Sequence, residues 1–168
     1  MNKKVLFTAL LAVATAFGVS AQKLITGNLD FLKIETKLNI VFDYSELGEG
    51  GDWDKPNFHS DFIRELNGRL TGKVRLKAGN FEDAKYQATV RILSTHLGEF
   101  VPPFWQANKP ELDIEIVFTE IITAKVLAIT SKFNVKGNAM TPITDSRISS
   151  VFEEAGEALG KFILKKTK

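Results

Sequence analysis

The chain has 168 residues, no cysteine, 22 basic against 20 acidic side chains, and 44% hydrophobic residues. Without cysteine it builds no disulfide scaffold, no thiolate metal centre and no lipid anchor on a cysteine. The near balance of charge excludes the global basic field expected of a nucleic-acid-binding protein.

Lys3 and Lys4 open the chain, followed by the uncharged stretch Val5 to Val19 and then Val19-Ser20-Ala21 ahead of Gln22. A basic start, an apolar middle and small residues before a cleavage point are the three parts of a secretion signal. Residues 1–21 are therefore expected to be a cleaved signal peptide, with the mature protein periplasmic or secreted. The apolar run falls short of the ~20 residues that span a bilayer as a helix, so no stable membrane insertion is expected. Taking 21 of the 168 residues away leaves 147, one domain over residues 22–168. Lys3 and Lys4 leave with the signal, so the mature domain balances 20 basic against 20 acidic groups.

Residues 22–36 mix apolar clusters with Gly27 and Asn28 and read as a turn or hairpin. Lys37 to Asp43 alternates as a strand, with Leu38, Ile40 and Phe42 opposite Asn39, Val41 and Asp43. A loop rich in glycine and acid follows from Glu46 to Asp54. A helix is expected to start near Pro56 or Asn57, with Asp54 or Asn57 as cap and Phe58, Phe62, Leu66 and Leu70 on one stripe. Gly72 ends it, and Lys73 to Lys77 has the pattern of a short edge strand.

Tyr86 to His96 is the next strand, rich in residues that suit a pleated surface. After a loop holding Pro102, Pro103 and Pro110, residues Leu112 to Thr119 alternate again. Ala124 to Val135 follows as a long strand, joined to the one before it by a hairpin. The last element is a helix with Ile148, Val151, Phe152, Ala155, Leu159, Phe162 and Ile163 on one stripe and Asp145 or Ser146 as cap. The expected fold is α+β: a mixed sheet of about four or five strands with two amphipathic helices packed on one face.

Several stretches act as a set: Gly27-Asn28-Leu29-Asp30-Phe31-Leu32-Lys33, Phe42-Asp43-Tyr44-Ser45, Ala84-Lys85-Tyr86, Arg147-Ile148, and Ala155 to Ile163. Together they resemble a family of uncharacterised secreted proteins from Bacteroidota, over most of the mature chain. That resemblance implies no particular chemistry. In element order the chain is also similar to the periplasmic TolB N-terminal and penicillin-binding-protein-activator domains, which act by binding other envelope proteins. It departs from their lipoprotein members in lacking the lipidation cysteine.

His59-Ser60-Asp61 has the letters of a hydrolase triad. Consecutive helical residues point about 100° apart, however, and cannot relay a proton along one line. His59 and His96 lie on different elements without partners at metal-binding spacing, so no metal is expected. Glu46, Glu49, Asp52 and Asp54 offer oxygens of the kind calcium takes, without its loop motif, and read first as a solvated loop. Asp43, at a strand end, is either a base or ligand or the acceptor of a structural hydrogen bond to the following loop. Gly156 and Gly160 form G-x-x-x-G, read here as close packing against the sheet.

Phe100, Phe104 and Trp105 in the proline-containing loop are either a lid on the core or a partner-binding surface. No catalytic residue and no cofactor is assigned. The sequence points to an exported, non-catalytic domain that binds an envelope or extracellular protein, with no nucleic acid. A small-ligand or glycan-binding module using the same aromatic loop is the alternative, and an enzyme of unknown type the third.

Overall fold

In the computed structural model, residues 22–48, 50–98, 108–138 and 143–167 are described. Seven strands form one mixed sheet: β1 (Leu24–Gly27), β2 (Lys37–Asp43), β3 (Lys77–Gly79), β4 (Tyr86–His96), β5 (Glu111–Glu120), β6 (Lys125–Thr130) and β7 (Phe133–Lys136). Their order is β1-β6-β5-β4-β2-β3, with β7 also paired to β5. β2 is parallel to β3 and β4, and every other pairing is antiparallel. Helix α1 (Pro56–Leu70) lies in the chain between β2 and the strands parallel to it, and α2 (Thr144–Thr167) ends the fold.

The α+β class and the mixed sheet agree with the sequence pattern, but the strand count exceeds the expected four or five. β1 forms where only a turn or hairpin was legible. The long strand expected over 124–135 is divided into β6 and β7 by Ser131 and Lys132. The edge strand falls at Lys77–Gly79 rather than at 73–77, because Lys73 N and Val74 N both donate back to Leu70 O and extend the turn after α1.

Alternation decides which side of the sheet is covered. Ala88, Val90 and Ile92 of β4 and Ile114, Ile116 and Phe118 of β5 are buried together with Leu38 of β2 and the apolar stripes of both helices. Phe42 meets Phe62 of α1 and Phe152 of α2, with ring centroids 5.2 and 5.8 Å apart. A 3-10 turn at Asp30–Lys33 places Phe31 against Tyr86 and Phe118, closing the far end of the same core.

The two helices run parallel. Asp61 accepts from Ser149, Arg64 pairs with Glu153 and Arg69 with Glu157, so both chains advance together. Gly156 explains how close they come: a Cβ there would stand 2.1 Å from the carbonyl oxygen of Phe62. The G-x-x-x-G pair therefore serves contact with α1, not with the sheet.

Neither helix is capped as expected. The residue ahead of α1 is Lys55, with no side-chain cap, and Pro56 fills the first turn. Asp54 instead faces His59, 3.3 Å away. Asp145 lies inside the first turn of α2 and accepts from Lys55 Nζ at 2.9 Å. Among the described residues no helix is long and apolar enough to cross a membrane.

Candidate functional site

The carboxyl end of β2 delivers two side chains in succession. Strand alternation sends Phe42 to the core and Asp43 to the open side of the sheet, and the chain then turns into a short 3-10 segment, Ser45–Leu47. Asp43 Oδ1 accepts from Ser45 N at 2.9 Å, fixing that turn. Hydrogen bonds from Ser45, backbone first, with Arg91 behind them, hold the Asp43 carboxyl below the usual carboxylate range.

Arg91 is the hub of this corner. It stands directly beside Asp43 in the β2–β4 register and opposite Glu115 in the β4–β5 register. Its guanidinium donates to Glu115 at 2.7 Å and to Glu46 at 2.9 Å, and Nε lies 3.7 Å from Asp43. One cation thus ties the turn after β2 to the open face of the sheet.

Tyr44, Asp54 and His59 form a second cluster where the glycine-rich loop enters α1. The His59 ring stacks on Phe42 at 4.0 Å with the planes 6° apart. Its Nε2 is 2.9 Å from Tyr44 Oη, which is also 3.0 Å from the Trp53 carbonyl oxygen. The tautomer follows from donor counting. The carbonyl only accepts, so the single Tyr44 proton goes to it. Nε2 must then carry hydrogen and donate to Tyr44 Oη, with the Asp54 carboxylate as a further acceptor. Burial pushes the Tyr44 phenol well above its ordinary pKa and pulls that of His59 below 6.5, against the opposing effect of Asp54. Both groups stay neutral at pH 7 and latch the loop to the helix.

Asp43, Tyr44, Ser45, Gln87 and Thr89 line an open, shallow groove of about 700 Å³ beside Gly48, Gly50 and Asp54. It presents hydroxyls, an amide and carboxylates. Each carboxylate named from the sequence is engaged separately or lies elsewhere: Glu46 with Arg91, Asp54 with His59, and Asp52 exposed. Glu49 lies outside the described residues. Among the described residues no group of three or more histidine, cysteine, aspartate or glutamate side chains is placed to hold a metal. His59, Ser60 and Asp61 diverge, since Ser60 Oγ donates to Pro56 O while Asp61 accepts from Ser149 and Arg64.

Phe100, Phe104 and Trp105 lie outside the described residues. Both ends of their loop are described, and one side chain holds them. Arg147 of α2 is 4% exposed and donates through Nη2 to Leu97 O at 2.5 Å and to Asn108 O at 3.0 Å. Gly98, at φ +73°, fits this neck because a Cβ would stand 2.1 Å from Asn108 O and 2.9 Å from the guanidinium. Sequence reasoning passed over Arg91, Tyr44 and Arg147. The signal for Arg147 was its place on the buried stripe of α2, one residue before Ile148 and four before Val151.

No family model matches the chain, and no curated protein does. Among solved structures, it is similar to the PelC dodecamer from Paraburkholderia phytofirmans at 7% identity and a TM-score of 0.48, over 82% of this chain and 95% of that one. A Xanthomonas campestris protein of the DUF330 family matches at 10% identity and a TM-score of 0.49, over 78% of this chain and 84% of that one. A candidate lipoprotein from Caulobacter crescentus matches at 10% identity and a TM-score of 0.39, over 76% and 88%. Likeness at this level carries no argument about function.

Proposed function

We propose that the chain is an exported, non-catalytic domain that binds a protein or cell-envelope component through the loop carrying Phe100, Phe104 and Trp105. The proposal includes the cleaved signal at residues 1–21, a periplasmic or secreted location, and membership of the secreted Bacteroidota family it resembles. The observation that carries it is the neck at Arg147. Burying a guanidinium is costly, and here both of its named acceptors are neutral carbonyls at the two ends of one loop. A fold that commits a buried cation in this way fixes the two ends of the loop, and loops held on a rigid scaffold are where recognition concentrates. Prolines at 102 and 103 restrict the unbound loop and lower the entropy cost of binding.

The test uses the tagged mature protein, affinity capture from native cells, and a Trp105→Ala variant. Trp105 fluorescence, with Trp53 replaced by phenylalanine, is expected to be quenched readily by acrylamide. Trp105→Ala is expected to lose the captured partner while keeping its denaturant midpoint. A shielded Trp105 whose removal lowers stability without affecting capture overturns the reading and makes the loop a lid.

The groove beside Asp43 supports a second reading, a small-ligand or glycan-binding module. Calorimetric titration with soluble glycans, repeated on Thr89→Lys, separates the two: saturable heat that the variant abolishes favours the groove.

A further inference from the structure

Strand direction sorts the surface into two ends. β2, β3 and β4 are parallel and β5 runs back, so the starts of those three strands lie with the end of β5 and the start of β6. α1 returns the chain from the end of β2 to the start of β3, and α2 runs parallel to it, so both helices finish at this same end. The acid-rich loop after β2 and the neck at Arg147 occupy the opposite one. At the end where the helices finish, the turn from α1 to β3 presents Lys73, Arg75 and Lys77, and the last turns of α2 present Lys161, Lys165 and Lys166. All six are exposed. Neither segment, 71–77 or 161–167, contains a carboxylate. Lys161 pairs with Glu157, and none of the other five forms an ion pair with a described residue.

The ordinary duty of cations in such a place is to offset the negative ends of helices. Two helix ends amount to roughly one negative charge, so that duty leaves most of the six uncompensated. Apolar side chains stand in water beside them. Ile122, 89% exposed, is at the tip of the turn between β5 and β6, and Ile34, 82% exposed, precedes β2. Lys85 links these two segments: its carbonyl accepts from Ile121 N at 2.8 Å, and its Nζ donates to Glu35 at 3.4 Å. Thr36 O accepts from Lys77 N at 2.9 Å, which joins the basic turn to the same corner. A soluble polyanion would engage the cations and leave the isoleucines in water. A lipid surface uses both, with phosphates on the cations and branched apolar side chains at the boundary between headgroups and acyl chains.

We propose that this end of the domain docks on a membrane whose lipids carry anionic phosphate headgroups. The contact is peripheral, in keeping with the lack of a membrane-crossing helix among the described residues. It seats Ile34 and Ile122 among the headgroups, with Lys73, Arg75, Lys77, Lys165 and Lys166 around them. The neck at Arg147 then faces away from the lipid, so the two ends serve different partners.

Vesicle flotation of the mature protein, with any tag removed, tests it. The protein is expected to float with vesicles of mixed phosphatidylglycerol and phosphatidylcholine, to stay behind with phosphatidylcholine alone, and to be released by salt. Lys73→Gln, Arg75→Gln and Lys165→Gln combined are expected to weaken affinity on the order of a hundredfold, at about fivefold for each cation held near an anionic surface. Ile122→Ser is expected to weaken it by about a further severalfold while keeping its salt dependence. All four positions are exposed, so an unchanged urea midpoint certifies each variant as folded. Equal flotation with both vesicle types, or none with either, overturns the proposal, as does undiminished binding by the triple variant. Ile122→Ser binding as tightly as the parent protein reduces the surface to a general polyanion site and overturns the assignment to lipid.

Discussion

The two faces of the sheet are built from alternate residues of the same strands, yet they follow different physics. On the covered face, Val90, Ile116 and Phe118 are almost fully buried beneath two helices whose backbones touch at Gly156. On the open face, Val41, Thr89, Val117 and Ile129 stand side by side across four strands, with the Asp43–Arg91–Glu115 row next to them. The covered face is intolerant of volume change because nothing there can move aside. The open face is held by its backbone ladder and by ion pairs in contact with water, each worth little on its own. Stability therefore belongs to one face and tolerance of substitution to the other.

That contrast fails if the covered face tolerates truncation. Phe152→Ala removes a ring that touches Phe42 and Phe58, and is expected to cost about 3–5 kcal/mol in urea denaturation. Gly156→Leu pushes a side chain into the Phe62 carbonyl and is expected to cost about 1–3 kcal/mol. An unchanged midpoint for it would show the helices separable. Arg147→Met leaves the Leu97 and Asn108 carbonyls without their donor, for about 1–3 kcal/mol, and is expected to raise hydrogen exchange at the loop ends first.

His59 lies at the boundary of the two faces. Its folded pKa is depressed by burial, so the unfolded chain takes up a proton at higher pH than the folded one. The stabilisation is complete above the ordinary value of 6.5 and is lost as pH falls through the folded value. Midpoints measured on either side of pH 6.5 should show this limb, and His59→Gln should flatten it. The smallest effect is expected on the open face, where Val41→Lys should shift stability by less than about 0.5 kcal/mol. A larger loss there would mean that the face is not independent of the core.

What the sequence made legible follows the same division. β2, β4 and β5 announced themselves because one face is dry and the other wet, which imposes a period of two on the residues. The stripe on α2 was equally plain. β1 was hidden because Ile25, Thr26 and Gly27 are all exposed, leaving no alternation to detect, and β3 is only three residues long. Phe42 and Asp54 were visible as types, but the cluster they join around His59 was not. Tyr44 and His59 meet across a glycine-rich loop, and only the folded turn shows which of them donates. Arg147 was obscured for a related reason: an arginine reads as solvated, while its acceptors lie 50 and 39 residues away along the chain. The G-x-x-x-G spacing predicted a close approach, but its partner depends on the helices running parallel, which no local pattern encodes.

The position of β1 has a consequence for the order of events in folding. It is the first strand of the domain to be synthesised, yet its ladder partner is β6, and Lys23 meets Ser131 across 108 positions. Until β6 exists, β1 has nothing to pair with, and closing so long a loop is slow compared with forming the β4–β5 or β5–β6 hairpins. The strand that comes first can therefore pair only after β6 has been made. In the interval it is a short apolar ribbon without its partner, and its brevity, four residues ending in glycine, limits what else it can pair with while it waits.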